Sequence, residues 1–526
     1  MTKMIQAVII NIKVITNTLR DIPMGMKHGK KILGFFAIAS CIVGLVVVTL
    51  VLLKDDTLKR AAAGCDTINI TATYDDTEKT LKTEQSMSYK NRTGQAISEI
   101  KFHIYANAYK DGVKNPPVED RDITNAYPSG KSFGGITIHN VSQSYIIDGD
   151  DDTVLVVQLG EPLESGKSVK LDMNYTVKLA NVKHRLGWTD DAVNLANFYP
   201  VPCIFENGAW LTYPYSSNGD PFFNAMHNFN VKLTAPSDMV VASSGSLVRD
   251  TRKSNSRDTT ATTSYQSSAI RDFAMVLSTK FKVATKTVGK TAVKYYYLDD
   301  AEPQKSLDTA CSAMTTFSEL FTKYPYNQLS VVQTDFLHGG MEYGELVYVS
   351  RALLPTDRAN HEYVIVHEIA HQWWYGMVGN NQSRTAWIDE GLAEYSTMLF
   401  FDRHKQYNVE RDVLIENARK NYAAYIKIVQ GVGGELDTNM NRELDQFNTS
   451  YEYVYMTYVR GLLLFCDLEK IISVDNLLLC LKNFSTETKF GVATQEKLVQ
   501  SIEATTNAKV KLFFDTYTGG WSGFQK

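Results

Sequence analysis

Between Tyr363 and Met377 the chain sets two histidines and a glutamate inside an otherwise apolar run. Val364-Ile365-Val366 stand before His367-Glu368-Ile369-Ala370-His371, and Trp373-Trp374 stand after. The spacing predicts a helix over 363–377, with Pro355, Thr356 and Asp357 as its start signal and Gly376 and Gly379 as exits. Positions i and i+4 share one helical face, so both imidazoles can reach one ion. A helix this apolar must be buried. Leaving its imidazoles and carboxylate unpaired there costs about 1–3 kcal/mol each, a cost that a bound metal removes. The rival reading is a helix with two surface histidines and no metal. Such a motif arises by chance in roughly one chain in a hundred of this composition.

Nineteen positions beyond His371, Glu390 lies in a second predicted helix, Trp387–His404. The polar loop between, with Gly376, Gly379, Asn380, Asn381 and Ser383, lets the chain turn back. His367, His371 and Glu390 form the donor set that zinc accepts while keeping a fourth position for water. One zinc per chain is expected, with Glu368 as general base. Glu394, one turn further on, is either an outer partner of a ligand histidine or a solvated helix residue. His361 falls on a different face and is not counted as a ligand.

The rest of the chain divides by pattern. Residues 66–288 carry β-branched segments such as Thr153–Leu159, Lys167–Val177, Asn228–Leu233 and Met239–Ser244, separated by Gly, Asp, Asn and Pro. One large antiparallel β-domain is expected, with two smaller β units as the alternative. Residues 289–526 begin with mixed elements and become helical after 355, the order of an α+β domain. Arg411–Val429, Tyr453–Ile472 and Thr494–Ala504 are the further helices.

Ile32 to Leu53 is a run of twenty-two residues without a charge, long enough to span a hydrocarbon core of about 30 Å. Lys3, Lys13, Arg20, Lys27, Lys30 and Lys31 precede it against the single acid Asp21, which predicts a cytoplasmic tail at 1–31, a transmembrane helix at 32–53 and the remainder outside. A cleaved signal peptide is the rival, although such apolar regions usually run 7–15 residues. Residues 54–65 read as a linker. The net charge of -4 includes no basic block after residue 60, which excludes nucleic acid as a partner. The six cysteines stand alone, without metal-binding or disulfide spacing. Oligomeric state is not legible.

HEIAHQWWYGMVGN followed by WIDEGLAEY resembles the zinc aminopeptidases of the aminopeptidase N type, gluzincins with HExxH, eighteen residues, then Glu. Arg271-Asp272-Phe273-Ala274 is similar to a strand of that family's β-domain. Gly339-Gly340-Met341-Glu342-Tyr343 resembles its GxMEN motif, with Tyr in place of Asn, and Tyr458-Val459-Arg460-Gly461 resembles its YEKG, with Arg in place of Lys. The resemblance implies a thermolysin-like catalytic domain acting on peptides. Glu342 would hold the substrate's α-ammonium and Tyr458 would stabilise the oxyanion. The motif also includes Met341, and Gly339 and Gly340 would let a substrate backbone approach the strand edge. By composition alone, Tyr451, Tyr455 and Tyr458 are equal candidates on one helical face. Many relatives carry a further helical domain; this sequence stops at Lys526, and a more open active site is expected. A zinc endopeptidase of the same fold and an inactive surface binding protein are the alternatives.

Overall fold

The computed structural model describes residues 57–252 and 259–519. The predicted tail and membrane span, 1–31 and 32–53, lie outside them. Among the described residues no helix is long and apolar enough to cross a membrane. Part of the expected linker is ordered: Thr57–Gly64 is a short helix, tied down by Asn228 Nδ2 donating to Ala62 O at 2.9 Å.

A seven-stranded sheet dominates the N-terminal half. Its order is Ser246–Asp250, Thr260–Ile270, His227–Pro236, Asp66–Asp75, Thr80–Lys90, Ser168–Lys178 and Gly135–Val141. Alternation builds it: Ile68, Ile70, Ala72 and Tyr74 all face inward from one strand. The expectation of a wholly antiparallel domain fails at one pairing, because Asp66–Asp75 runs parallel to His227–Pro236. These strands are about 150 residues apart in sequence, and a parallel pair needs only a long crossover, which periodicity does not reveal. Two four-stranded sheets and the two-stranded pair Ile204–Glu206 with Ala209–Leu211 complete this half.

A five-stranded sheet then forms in the order Lys282–Val288, Thr291–Tyr297, Gln328–Thr334, Leu346–Ser350 and Gly340–Met341. The expected division at 288/289 therefore falls between two strands of one hairpin. Gln328–Thr334 and Leu346–Ser350 are buried throughout. The helices Pro303–Leu320 and Arg358–Ala370 pack against this sheet. From its other side, Gln328 Nε2 and Ser330 Oγ donate to Ser243 O of the β-rich half. The two-residue strand Gly340–Met341 is the antiparallel edge.

Arg271 and Asp272 fasten the halves together. Buried Arg271 donates to Tyr375 O, Asn224 O and Gly491 O. Asp272 accepts from the Gly344 N–H at 3.0 Å and from the Tyr375 hydroxyl. Gly379 is required here, since a Cβ would lie 2.1 Å from the Arg271 guanidinium carbon. The five described cysteines are free.

Candidate active site

The motif helix spans Arg358–Ala370, shifted toward the N-terminus of the expected 363–377. Asp357 caps it, accepting from Asn360 N–H at 2.9 Å. It ends at His371 because Tyr375 takes a φ of 100° and the chain folds back, Tyr375 N–H bonding Val378 O. His371 still lies one turn beyond His367. The second helix, Trp387–Arg403, brings up Glu390.

Three atoms converge. His367 Nε2 and His371 Nε2 are 3.0 Å apart, and each lies 3.3 Å from Glu390 Oε2. Donor atoms of a tetrahedral zinc with bonds of 2.0–2.1 Å sit about 3.3 Å from one another, so the triangle fits. Glu390 Oε2 is buried and finds no hydrogen-bond donor among the described residues. The imidazole tautomers fit too. His371 Nδ1–H donates to Trp374 O at 3.0 Å, and His367 Nδ1 lies 3.0 Å from Glu394 Oε1, which leaves both Nε2 lone pairs for an ion. Glu394 is itself held by the Tyr363 hydroxyl at 2.5 Å. His361 is elsewhere, with Nε2 3.3 Å from Tyr295 Oη and from Ser306 Oγ.

Glu368 is buried behind this triangle, and burial pushes its carboxyl up to about 7. Gly340 makes room for it: a Cβ there would lie 2.3 Å from Glu368 Oε1. Gly340 thus serves the glutamate, whereas Gly339 meets nothing closer than 3.4 Å. Glu342 lies in reach of Glu368 and His371, their side-chain donor atoms falling within 4.8 Å of one another. Burial raises its carboxyl well above the usual range, and Asp220, Glu368 and Glu390 add to the effect. Met341 Sδ accepts from Arg185 Nε at 3.3 Å.

Tyr458 lies in a π-helical turn, Tyr455–Val459, leading into the helix Arg460–Ile472. Its hydroxyl donates to Glu390 Oε1 at 2.5 Å. Burial, with Glu390 beside it, raises the phenol well above its ordinary value, so the proton stays on. The other tyrosines point away: Tyr451 is exposed under Arg121, and Tyr455 stacks on Tyr425. Gly461 explains the choice. It crosses Gly391 so closely that a Cβ on it would lie 2.7 Å from Gly391 Cα. Only two glycines let these helices approach and bring Tyr458 over Glu390.

Residues 305–517 match the peptidase family M1 domain. Over that stretch the chain is similar to peptidase family M1. Aminopeptidase M1-B of Oryza sativa subsp. japonica is 23% identical over 420 residues, covering 75% of this chain and 45% of that protein. Aminopeptidase B of Homo sapiens is 35% identical over 94 residues, 16% of this chain and 14% of that one. The chain thus spans less than half the length of these curated relatives. An M1 zinc metallopeptidase from Deinococcus radiodurans shares the fold, with a TM-score of 0.57 at 14% identity over 86% of this chain and 92% of that one. A form of it bound to a Tyr-Ser-Ala substrate gives 0.58 at 13% identity, over 86% and 93%.

Several residues of this candidate site escaped the sequence reading. Asp220 forms a buried pair with Arg185, Oδ1 to Nη2 at 2.5 Å. Asn218-Gly219-Asp220 reads only as a turn. Yet Gly219 abuts Tyr453, and Asn218 Nδ2 donates to Leu444 O and Phe447 O at 3.3 Å. These contacts pack the turn against the helical part of the chain, and His367, Glu368, His371, Glu390 and Glu342 are all buried. Gln382, Asn380 and Asp389, taken as loop and helix residues, form a hydrogen-bonded cluster beside Glu342.

Proposed function

We propose that this chain is a zinc-dependent aminopeptidase holding one zinc ion through His367, His371 and Glu390. The observation that carries the reading is the buried triangle of two imidazole nitrogens and one unpaired carboxylate oxygen. A zinc ion bound there would polarise the scissile carbonyl and lower the pKa of a bound water. Glu368, buried beside the two histidines, would take a proton from such a water and return it to the leaving amine. Tyr458, which keeps its proton, donates to the developing oxyanion once its hydroxyl turns from Glu390. Glu394 holds the His367 ring in place. Glu342 accepts the substrate's α-ammonium: a buried carboxylate among Asp220, Glu368 and Glu390 is relieved by an arriving cation. That contact favours an exopeptidase over an endopeptidase of the same fold, and the complete ligand set argues against an inactive scaffold. Metal analysis tests the ligands. The His371→Ala chain should lose its zinc, and full stoichiometric zinc in that variant would sink the assignment.

The chain is further proposed to sit in the cell membrane with its N-terminus cytoplasmic, residues 32–53 spanning and 66–288 and 289–526 outside. The twenty-two uncharged residues and the six basic residues before them support this. Protease added to intact cells should remove the activity; protection would overturn the topology.

A further inference from the structure

Gln382 is 1% exposed and stands between two carboxylates. Its Nε2 donates to Glu342 Oε1 at 2.9 Å and to Asp389 Oδ2 at 2.7 Å. The NH2 group faces both acids and the carbonyl faces away from them. Both amide hydrogens are then spent. Asp389 is anchored in turn by Asn380 Nδ2, which donates to its Oδ1 at 2.8 Å and to Thr385 O at 3.1 Å. Asn380 is likewise oriented by two acceptors. The result is a relay from a backbone carbonyl, through Asn380, Asp389 and Gln382, to Glu342. It starts in the loop between the ligand-bearing helices and ends on the edge strand of the sheet.

Glu342 needs such a hold. It follows a two-residue strand, and the next residues, Tyr343 and Gly344, already leave the ladder. Asp220, Glu368 and Glu390 lie around it as like charges, with His371 as the opposite one. A carboxylate pushed by three acids keeps one orientation only if a donor fixes an oxygen. Gln382 fixes Oε1, which leaves Oε2 for a cation. The Gln382 carbonyl Oε1 is buried and has no partner among the described residues. An unpaired buried acceptor of that kind is relieved by a donor that arrives with the ligand.

We propose that Gln382, held by Asp389, is a positioning residue that orients Glu342 to receive the α-ammonium of a peptide substrate. The inference rests on Glu342 being the amine anchor. It assigns selectivity for a free N-terminus to a pair of residues from the loop and second helix, not to the edge strand alone. Gln382 holds an interaction present in ground and transition states alike, so its loss raises KM more than it lowers kcat.

The experiment compares one short peptide, free and N-acetylated, on the full chain and on Gln382→Met and Glu342→Gln variants. Zinc content and melting temperature are measured alongside. Gln382→Met should lower kcat/KM for the free peptide roughly tenfold to a hundredfold, mostly through KM. It should leave zinc, melting temperature and the residual rate on the acetylated peptide unchanged. If Glu342→Gln shows this loss and Gln382→Met does not, the positioning role is wrong and the anchor stands. If Glu342→Gln itself leaves the free peptide's KM unchanged, the anchor falls, and the role of Gln382 falls with it. Should Gln382→Met lower zinc or stability, the double variant decides. Action through Glu342 means no further loss beyond Glu342→Gln, while losses that multiply overturn the proposal.

Discussion

The proposed active site has a metal end and an amine end, and the two are built differently. The metal end comes from two helices, with ligands four residues apart on one and a single carboxylate on the next. The amine end is assembled from an edge strand, a loop, and the turn Asn218–Asp220 of the other half of the molecule. Helix geometry fixes the first within a few residues of sequence; the second depends on contacts 40 and 229 residues apart, Gln382 with Glu342 and Asn218 with Phe447. Chemistry that must hold an ion is placed on rigid periodic elements. Recognition of the substrate is distributed over loops that the two halves must bring together.

The sharpest way to break this comparison is at Glu368, which belongs to the metal end by position and faces the amine end by contact. Glu368→Gln keeps the shape and removes the base, and should cost about 10²–10⁴-fold in kcat with zinc retained. Near-normal turnover would place the base elsewhere. Gly340→Ala tests where the ends meet. Its new Cβ would collide with the Glu368 carboxylate, and a displacement of about 1 Å is worth roughly a hundredfold in rate. Zinc should stay bound. Full activity in that variant would show that Glu368 has room to spare.

Much of this division was legible beforehand, for a physical reason. The i, i+4 histidines, the capping Asp357 and the apolar flanks act within one helix, and local pattern reports local structure. Trp387–His404 and Arg411–Val429 were legible in the same way, within two residues of their observed ends. Tyr458 could not be told from Tyr451 and Tyr455 by period. Its family match rested on Gly461, and the Gly391–Gly461 crossing supplies the mechanical reason. The parallel pairing of Asp66–Asp75, the Arg185–Asp220 pair and the role of Gln382 were not legible, because each depends on a distant partner. Val474–Glu487 and Lys511–Thr518 were also missed as helices: Leu477–Leu481 is a short apolar run without a distinct period, and Lys511–Thr518 is aromatic and Thr-rich.

A smaller effect separates the site from the scaffold beneath it. Glu345 is buried in the turn before the strand Leu346–Ser350, where burial pushes its carboxyl up to about 8 despite a bond from Ser267 Oγ. The folded pKa exceeds the unfolded one, so this group's contribution to stability is complete below about pH 4.5 and is lost as pH rises through about 8. Glu345→Gln should remove that slope and gain on the order of a few kcal/mol at alkaline pH relative to the parent. Denaturant unfolding at pH 5 and pH 9 measures it. An unchanged slope would mean that Glu345 is ionised and paired in the native protein.

The central claim is that a zinc centre and an amine anchor act together in one site. The measurement that tests it most directly is cleavage of a single peptide, free and N-acetylated, by the purified chain with and without a chelator. The account predicts stepwise release of residues from the free amino end, abolished by the chelator and restored by zinc, with the acetylated peptide left nearly intact. Internal cleavage of the acetylated peptide at a comparable rate would contradict it, and would remove the amine-anchor role from Glu342.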